Sequence, residues 1–267
     1  MMQYLAKTLL LLWTLLAATA EARTLVLAAS NNPPFYGREL PQQGALTQII
    51  REALAIHGHD LEVKFLPWTR AMEWAKSGVV DGMIGVWHTP ERAQQLHFSD
   101  PILTSRMVLY KRREDPIRYE QPLDLQGKNY RLGLVRGYVL PKDLRQTNLE
   151  IMRVTRNNQY FRILAGKRVD LVVVNNEYAH HLLQQSDHTD IANGVEQVGD
   201  VVGVENQHLV LTKHRAPNDM LIQEFNLGLK LLRQNGRFRT IIEQHNFEKI
   251  DEADALFYQR QTSEDAQ

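Results

Sequence analysis

The chain has 267 residues, with 31 lysines and arginines against 31 aspartates and glutamates, so its formal net charge is zero. This length suffices for two modest lobes, and the balanced charge argues against a nucleic-acid partner. Cysteine is absent, which excludes disulfides, thiol catalysis, thiolate metal sites and a lipid-anchored cysteine.

The first residues are typical of a secretory signal peptide. Lys7 precedes an apolar run from Leu9 to Ala18, and small residues follow at Ala20 and Ala22. The run is shorter than the ~20 apolar residues that a membrane-spanning helix needs. We therefore predict a signal peptide over residues 1–22 and export of the mature chain.

The next part of the chain alternates apolar strands with amphipathic helices, a pattern that predicts an open, mostly parallel sheet. The predicted strands are 24–28, 61–66, 83–87 and 102–110, and the predicted helices are 46–54 and 70–76. The charged run 111–116 is predicted to be exposed and to mark the first crossing between lobes.

A second α/β pattern follows this run. Strands are predicted at 130–135, 151–154 and 169–174, and helices at 160–166 and 177–185. A turn at 203–206 and a return strand at 208–212 lead to helices at 220–234 and 238–244, and the polar tail 251–267 is predicted to fray. The predicted lobe 1 comprises 23–110 and 207–250, and the predicted lobe 2 comprises 111–206.

Ligands of open α/β sheets bind beyond the carboxyl ends of strands. In this sequence, loops follow predicted strands at 31–36, 67–68, 87–92, 136–139 and 175–177. We expect these loops to converge on one cleft.

The stretch Asp81–Pro101 concentrates binding chemistry. Thr89 suits the N-cap of a short helix and Pro90 suits its first position. A helix start favours anions, and Arg92 in this turn adds a planar fork of donors that matches a carboxylate. The stretch therefore predicts a site for a small anion.

Short motifs occur in a characteristic order across residues 24–247. They are PPF at 33–35, PW at 67–68, GVVD at 78–81, TPER at 89–92, FSDP at 98–101, LQGK at 125–128 and GKRVD at 166–170. In this order they resemble the periplasmic solute-binding proteins of the polar amino-acid uptake family, bacterial family 3. The resemblance implies a two-lobe periplasmic-binding-protein fold of type II (Venus flytrap), with two mostly parallel α/β sheets joined by two hinge strands.

The resemblance also implies several ligand contacts. Arg92 matches the carboxylate-binding arginine of the family, and Trp68 matches the aromatic residue that packs on the ligand. Tyr36 and Trp87 are expected to add aromatic wall, although Trp87 stands where amino-acid binders usually carry a serine or threonine. Thr89 belongs to the TPER motif, 89–92, which also contains Arg92.

Other positions depart from the family pattern. Asn175 stands where amino-acid binders carry the aspartate that pairs with the ligand ammonium, so either Glu177 supplies the charge or the ligand has no ammonium. Tyr138 and Val139 replace threonines that often bind the carboxylate. Arg70 is predicted to be either a second cation at the cleft or a surface residue of its helix.

We expect a monomeric periplasmic protein that captures a small carboxylate-bearing ligand, an amino acid or related organic acid, for a membrane ABC permease. No cofactor or metal site is predicted. Two alternatives stay open: a cyclohexadienyl-dehydratase-like lyase with Glu177 as general acid, and a free-standing ligand sensor.

Overall fold

A computed structural model describes residues 22–185 and 189–246 of the chain. The predicted signal peptide, apart from Ala22, and the predicted polar tail lie outside these residues. Within the described part of the chain, no helix combines the length and the apolar character needed to cross a membrane.

The described residues form a mixed α/β structure, as the alternating pattern predicts. The strands are β1 Thr24–Ala29, β2 Asp60–Phe65, β3 Gly82–Val86, β4 Leu96–Phe98, β5 Leu103–Arg112, β6 Arg131–Val135, β7 Glu150–Val154, β8 Leu171–Asn175 and β9 Val195–Thr212. The α-helices are α1 Ala45–Ala55, α2 Trp68–Ser77, α3 Pro90–Ala93, α4 Lys142–Arg145, α5 Tyr160–Ala165, α6 Asn176–Leu183, α7 Thr189–Gly194, α8 Asn218–Gln234 and α9 Arg237–Gln244.

The first sheet has the strand order β2-β1-β3, with all three strands parallel. Helices α1, α8 and α9 cover one face because their apolar positions recur at helical spacing. In α1 these buried positions include Leu46, Ile49, Ile50, Ala53 and Leu54. They pack with Phe225, Leu229 and Ile241 of the last two helices in one core.

The second sheet has the strand order β5-β8-β6-β7. Strands β6, β7 and β8 are mutually parallel, whereas β5 runs antiparallel to β8. Strand β8 is buried along its whole length, which is typical of a strand covered on both faces. The side chains on its two faces belong to two separate apolar cores.

Strand β9 joins the two sheets. Its last residues pair antiparallel with β3 and β4, and its earlier part pairs antiparallel with β5. The chain therefore passes between the sheets along β5 and back along β9, consistent with the predicted two-lobe fold with two connecting strands. The sheets themselves are mixed, because these connecting strands run against their neighbours.

The prediction of an exposed charged run at 111–116 is wrong at its start. Lys111 and Arg112 continue β5 and are buried. Their charges are compensated inside the protein, since Lys111 pairs with Glu196 at 2.6 Å and Arg112 pairs with Asp170 at 3.3 Å.

The prediction of a turn at 203–206 is also wrong. Strand β9 is continuous from Val195 to Thr212. Its register against β5 shifts between the pairs Leu109–Val198 and Met107–Gly203. The irregular part of β9 is therefore 199–202, and it contains Gly199, whose φ of +67° glycine adopts without strain.

Candidate functional site

One cavity lies between the two sheets, beyond the carboxyl ends of β1, β2, β3, β6, β7 and β8. We call it the cleft cavity, and its walls are formed by Asn32, Tyr36, Trp68, Gly85, Trp87, Arg92, Ser105, Met107, Tyr138, Val139, Asn157, Tyr160, Val174, Asn175 and Tyr178. All five predicted loops contribute residues to this set. Its volume is about 30 Å³, against the ~10–15 Å³ that one water needs, so a larger ligand requires the walls to move apart.

Arg92 is the cation of the cleft cavity and is only 8% exposed. It lies in α3, where Thr89 Oγ1 accepts a hydrogen bond from its backbone N–H at 3.2 Å, as the N-cap prediction expects. Its guanidinium donates to the carbonyl oxygens of Trp87 at 2.7 Å and Gly137 at 3.0 Å. These bonds leave further guanidinium donors for a ligand.

The electrostatic environment of Arg92 is that of a desolvated cation. Burial lowers the pKa of its guanidinium, and the negative charges of Glu205 and Glu91 oppose this shift. Among the described residues, no carboxylate forms an ion pair with Arg92. A buried cation without an ion-pair partner is a favourable position for an anionic ligand.

Aromatic rings surround the guanidinium. The Trp68 ring centroid lies 5.5 Å from the Arg92 guanidinium carbon, a cation–π geometry. Tyr138 contacts Trp68 edge-to-face, with centroids 5.1 Å apart, and lies 6.2 Å from the Trp87 ring. Trp68 begins α2, which follows β2 of the first sheet, and Tyr138 lies in the loop after β6 of the second sheet, so these rings close the cleft from both sides.

Amide side chains supply the remaining polar lining. Asn175 caps α6, because its Oδ1 accepts from Tyr178 N at 2.9 Å. Within the described part of the chain, its Nδ2 is buried without a hydrogen-bond partner. Asn157 Nδ2 donates to Tyr138 Oη at 2.8 Å and approaches Asn32 Oδ1 at 3.5 Å. The second of these contacts links the two walls.

The tyrosine hydroxyls of the cavity are neutral over the physiological pH range. Burial raises the pKa of Tyr138 to about 12, and it also raises the pKa values of Tyr36, Tyr160 and Tyr178. These phenols can donate or accept hydrogen bonds, but they bring no negative charge to the cavity.

The structure brings six predicted site residues to the cleft cavity: Tyr36, Trp68, Trp87, Arg92, Tyr138 and Asn175. Arg70 does not line the cavity and is exposed on α2. Thr89 is held by its capping bond, outside the lining. Glu177 Oε1 accepts from Arg106 Nη2 at 2.9 Å and Nε at 3.2 Å, and Glu177 does not line the cavity either.

Sequence reasoning missed several lining residues, among them Ser105, Met107, Asn157, Tyr160 and Tyr178. Ser105 and Met107 lie inside β5, where an apolar strand pattern gives no sign of a cleft. Asn157 follows β7, so the rule that ligands bind beyond strand ends could have identified it. Tyr160 and Tyr178 occupy apolar positions of short helices, which typically indicate core packing.

Solved structures resemble this fold. The sensor domain of a histidine kinase with similarity to periplasmic binding proteins superposes with a TM-score of 0.71 at 19% identity, covering 84% of this chain and 96% of that one. An ancestral arginine-binding protein bound to arginine gives a TM-score of 0.69 at 22% identity and coverages of 83% and 97%. The GluR0 ligand-binding core from Nostoc punctiforme in complex with L-glutamate gives 0.67 at 21%, with coverages of 84% and 99%.

At these identities the structural likeness establishes the two-lobe fold. A sequence search of curated proteins returned no match. The sequence profile of the bacterial extracellular solute-binding proteins, family 3, matches residues 25–249, which is most of the chain. The chain therefore belongs to family 3 of the bacterial extracellular solute-binding proteins.

Proposed function

We propose that this protein is a periplasmic binding protein that captures a small carboxylate-bearing ligand in the cleft cavity. The observation that carries the proposal is Arg92, a buried cation in the cavity without an ion-pair partner among the described residues. Its guanidinium fork matches a carboxylate, and Trp68 and Tyr138 enclose the apolar part of the ligand.

Ligand binding favours a closed form in which the two walls of the cleft cavity are in contact. Arg92 and Trp68 of the first wall both donate to the Gly137 carbonyl of the second, at 3.0 Å and 3.3 Å. A ligand that contacts both walls binds the closed form more tightly than the open form, and it shifts the population accordingly. The closed form is then recognised by a membrane ABC permease, and the protein acts as a monomer.

We also propose a division into lobes that follows the strand pairing. Lobe 1 holds the first sheet with α8 and α9, and lobe 2 holds the second sheet. Because Met107–Tyr110 already pair with β8, we place the first crossing before Met107, earlier than the sequence boundary at 110. The return crossing stays near Gln207, where β9 leaves β5.

A thermal-shift screen of amino acids, dicarboxylates and aromatic acids tests the proposal, with the protein first unfolded and refolded to remove carried-over ligand. A ligand that binds the native state raises the melting temperature by mass action. We expect Arg92→Ala to abolish this shift. The matched control is Arg70→Ala, which removes an exposed arginine outside the cavity and should retain the full shift.

The proposal fails if Arg92→Ala, folded by circular dichroism, responds to the ligand as the wild type does. A sensory role is the second candidate, favoured by the likeness to a histidine-kinase sensor domain; capture of a sensor partner instead of a permease by the liganded protein would establish it. The lyase alternative lacks support, because its acid Glu177 is paired with Arg106 outside the cavity lining.

A further inference from the structure

Asn175 presents a hydrogen-bond donor to the cleft cavity. Its Oδ1 is engaged by the backbone N–H of Tyr178 at 2.9 Å, which fixes the orientation of the amide. Its Nδ2 is buried and has no hydrogen-bond partner among the described residues, and the residue lines the cavity while only 7% exposed. A buried donor without a partner is costly, so it favours a ligand oxygen at this point.

The described residues of the cavity lining include no group that compensates a positive charge, and Glu205, whose charge acts on Arg92, lies outside this lining. The lining contains one cation, Arg92, and no aspartate or glutamate is found among the described residues that line it. The four tyrosines are neutral because burial raises their pKa values. An ammonium brought into this lining would be desolvated beside a guanidinium, which is strongly unfavourable.

Glu177 is the nearest acidic residue in sequence to Asn175, but it lies outside the cavity lining and pairs with Arg106. Its second oxygen, Oε2, is buried without a hydrogen-bond partner among the described residues. Its Oε1 accepts two hydrogen bonds from Arg106, and its side chain is 11% exposed. An ion pair of this kind is expensive to break because one buried charge would be left alone.

The aromatic rings do not form a free cage for a cation. The face of Trp68 is occupied by the Arg92 guanidinium at 5.5 Å, and Trp68 meets Tyr138 edge-to-face. Cation–π binding of a ligand ammonium would therefore compete with a cation that the protein supplies itself.

We propose that the ligand is an organic acid without an ammonium group, an inference that rests on the carboxylate-binding function proposed above. The carboxylate binds Arg92, and a second oxygen of the ligand accepts a hydrogen bond from Asn175 Nδ2. The site thus selects a deaminated acid over the amino acid of the same skeleton.

A second pocket, next to the cleft cavity, also carries positive charge. A pocket of about 460 Å³ adjoins the cleft cavity through Trp68, Asn157 and Tyr178. It carries Arg38 on the first wall and Arg156 on the second, without an acidic residue among the described residues of its lining. Such a charge distribution attracts anions.

Calorimetric titration of matched acid pairs tests the inference. The pairs are 3-phenylpropanoate with L-phenylalanine, 4-carbamoylbutanoate with L-glutamine, and glutarate with L-glutamate. In each pair that binds, we expect the acid without the amine to bind the wild-type protein at least about tenfold more tightly. Equal or tighter binding of the amino acid overturns the inference and leaves the proposed function standing.

Asn175→Asp supplies the missing charge with almost no change in shape. The aspartate keeps the capping bond to Tyr178 N and presents a carboxylate oxygen where the amide donor was. We expect it to shift the affinity ratio toward the amino acid by at least about tenfold, because opposite charges at contact distance attract. The matched control is Asn176→Asp, which adds the same charge at the same helix start but outside the cavity lining.

The remaining outcomes are decisive as well. An unchanged ratio in Asn175→Asp, or the same change in Asn176→Asp, overturns the role of Asn175. If none of the six compounds binds the wild-type protein, the carboxylate-binding function fails and this inference fails with it.

Discussion

Arg92 owes its position to three neighbours. The Trp87 and Gly137 carbonyls accept from its guanidinium, and the Trp68 ring lies against it at 5.5 Å. The Trp87 carbonyl and the Trp68 ring lie on the same wall as Arg92, so under the proposed function they hold its side chain in one orientation before a ligand arrives, which lowers the entropic cost of binding. The Gly137 contact joins the two walls and is added when they close.

Gly85 lines the cavity at a point where a larger side chain would overlap a neighbouring residue. Its φ is +73°, and an added Cβ would lie 2.5 Å from the Tyr36 ring. We expect Gly85→Ala to lower the free energy of unfolding through both backbone strain and this overlap, and to displace Tyr36 from the cavity. Urea denaturation measures the loss.

Gly58→Ala is the matched control, because Gly58 has a φ of +82° and nothing within 4 Å of its added Cβ. The Gly85 variant should lose about 1–3 kcal/mol more than the Gly58 variant, the usual cost of overpacking. If the two variants lose the same free energy of unfolding, Tyr36 moves aside at little cost and does not hold the cavity wall in place.

The sequence predicts the kind of chemistry at the candidate site better than it predicts the full set of residues that line the cavity. Arg92 and Trp68 are identifiable because they belong to motifs that follow strands. Ser105 is not, because it lies inside β5 and reaches the cavity only when the second sheet is placed against the first, whereas the position of Asn157 after β7 could have identified it. Glu177 is one of two alternatives for the charge that Asn175 lacks, and its ion pair with Arg106 of β5 joins residues far apart in sequence, which the sequence does not reveal.

At the scale of elements, hydrophobic periodicity predicts most strands and helices, since strands such as β8 and helices such as α1 have strong patterns. It fails where charges are buried. Lys111 and Arg112 look like a surface run, yet Glu196 and Asp170 compensate them within the fold. Arg112 also pairs with Asp115, three residues away, at 2.7 Å, but Glu196 and Asp170 lie far away in sequence, so no local pattern reveals them.

Helices α1 and α9 are joined by an ion pair that should make stability depend on pH. Arg237 donates to both oxygens of Glu52 at 2.7 Å and holds the pKa of that carboxyl below its usual value. A lowered native pKa contributes stability above the unfolded-state pKa of about 4.3. This contribution is lost as the pH falls through the native pKa.

We therefore expect Glu52→Gln to lower the free energy of unfolding at pH 7 by about 1 kcal/mol or less, since the pair is partly exposed. The difference from wild type should shrink toward pH 3 in urea titrations. Glu62→Gln, which removes an exposed carboxylate 3.8 Å from Lys64, should show little effect at either pH. A deficit that is independent of pH would contradict the assignment.

At the scale of the whole molecule, the proposed function depends on the contacts that two sheets make around one cavity. Tyr138 contacts apolar cores belonging to both sheets, and the Gly137 carbonyl accepts from both Trp68 and Arg92. Under the proposed function, the loop after β6 is the part of the second wall that contacts the anion site when the walls close. Sequence predicts that two lobes exist, but these contacts follow from their relative placement, which no local pattern encodes.

A crystal structure of the protein with the acid selected by the thermal-shift screen tests the central claim most directly. The account predicts that the ligand carboxylate lies about 2.7–2.9 Å from guanidinium nitrogens of Arg92, with the rest of the ligand between Trp68 and Tyr138. A ligand bound outside the cleft, or bound in it with no atom in contact with the Arg92 guanidinium, would contradict the account.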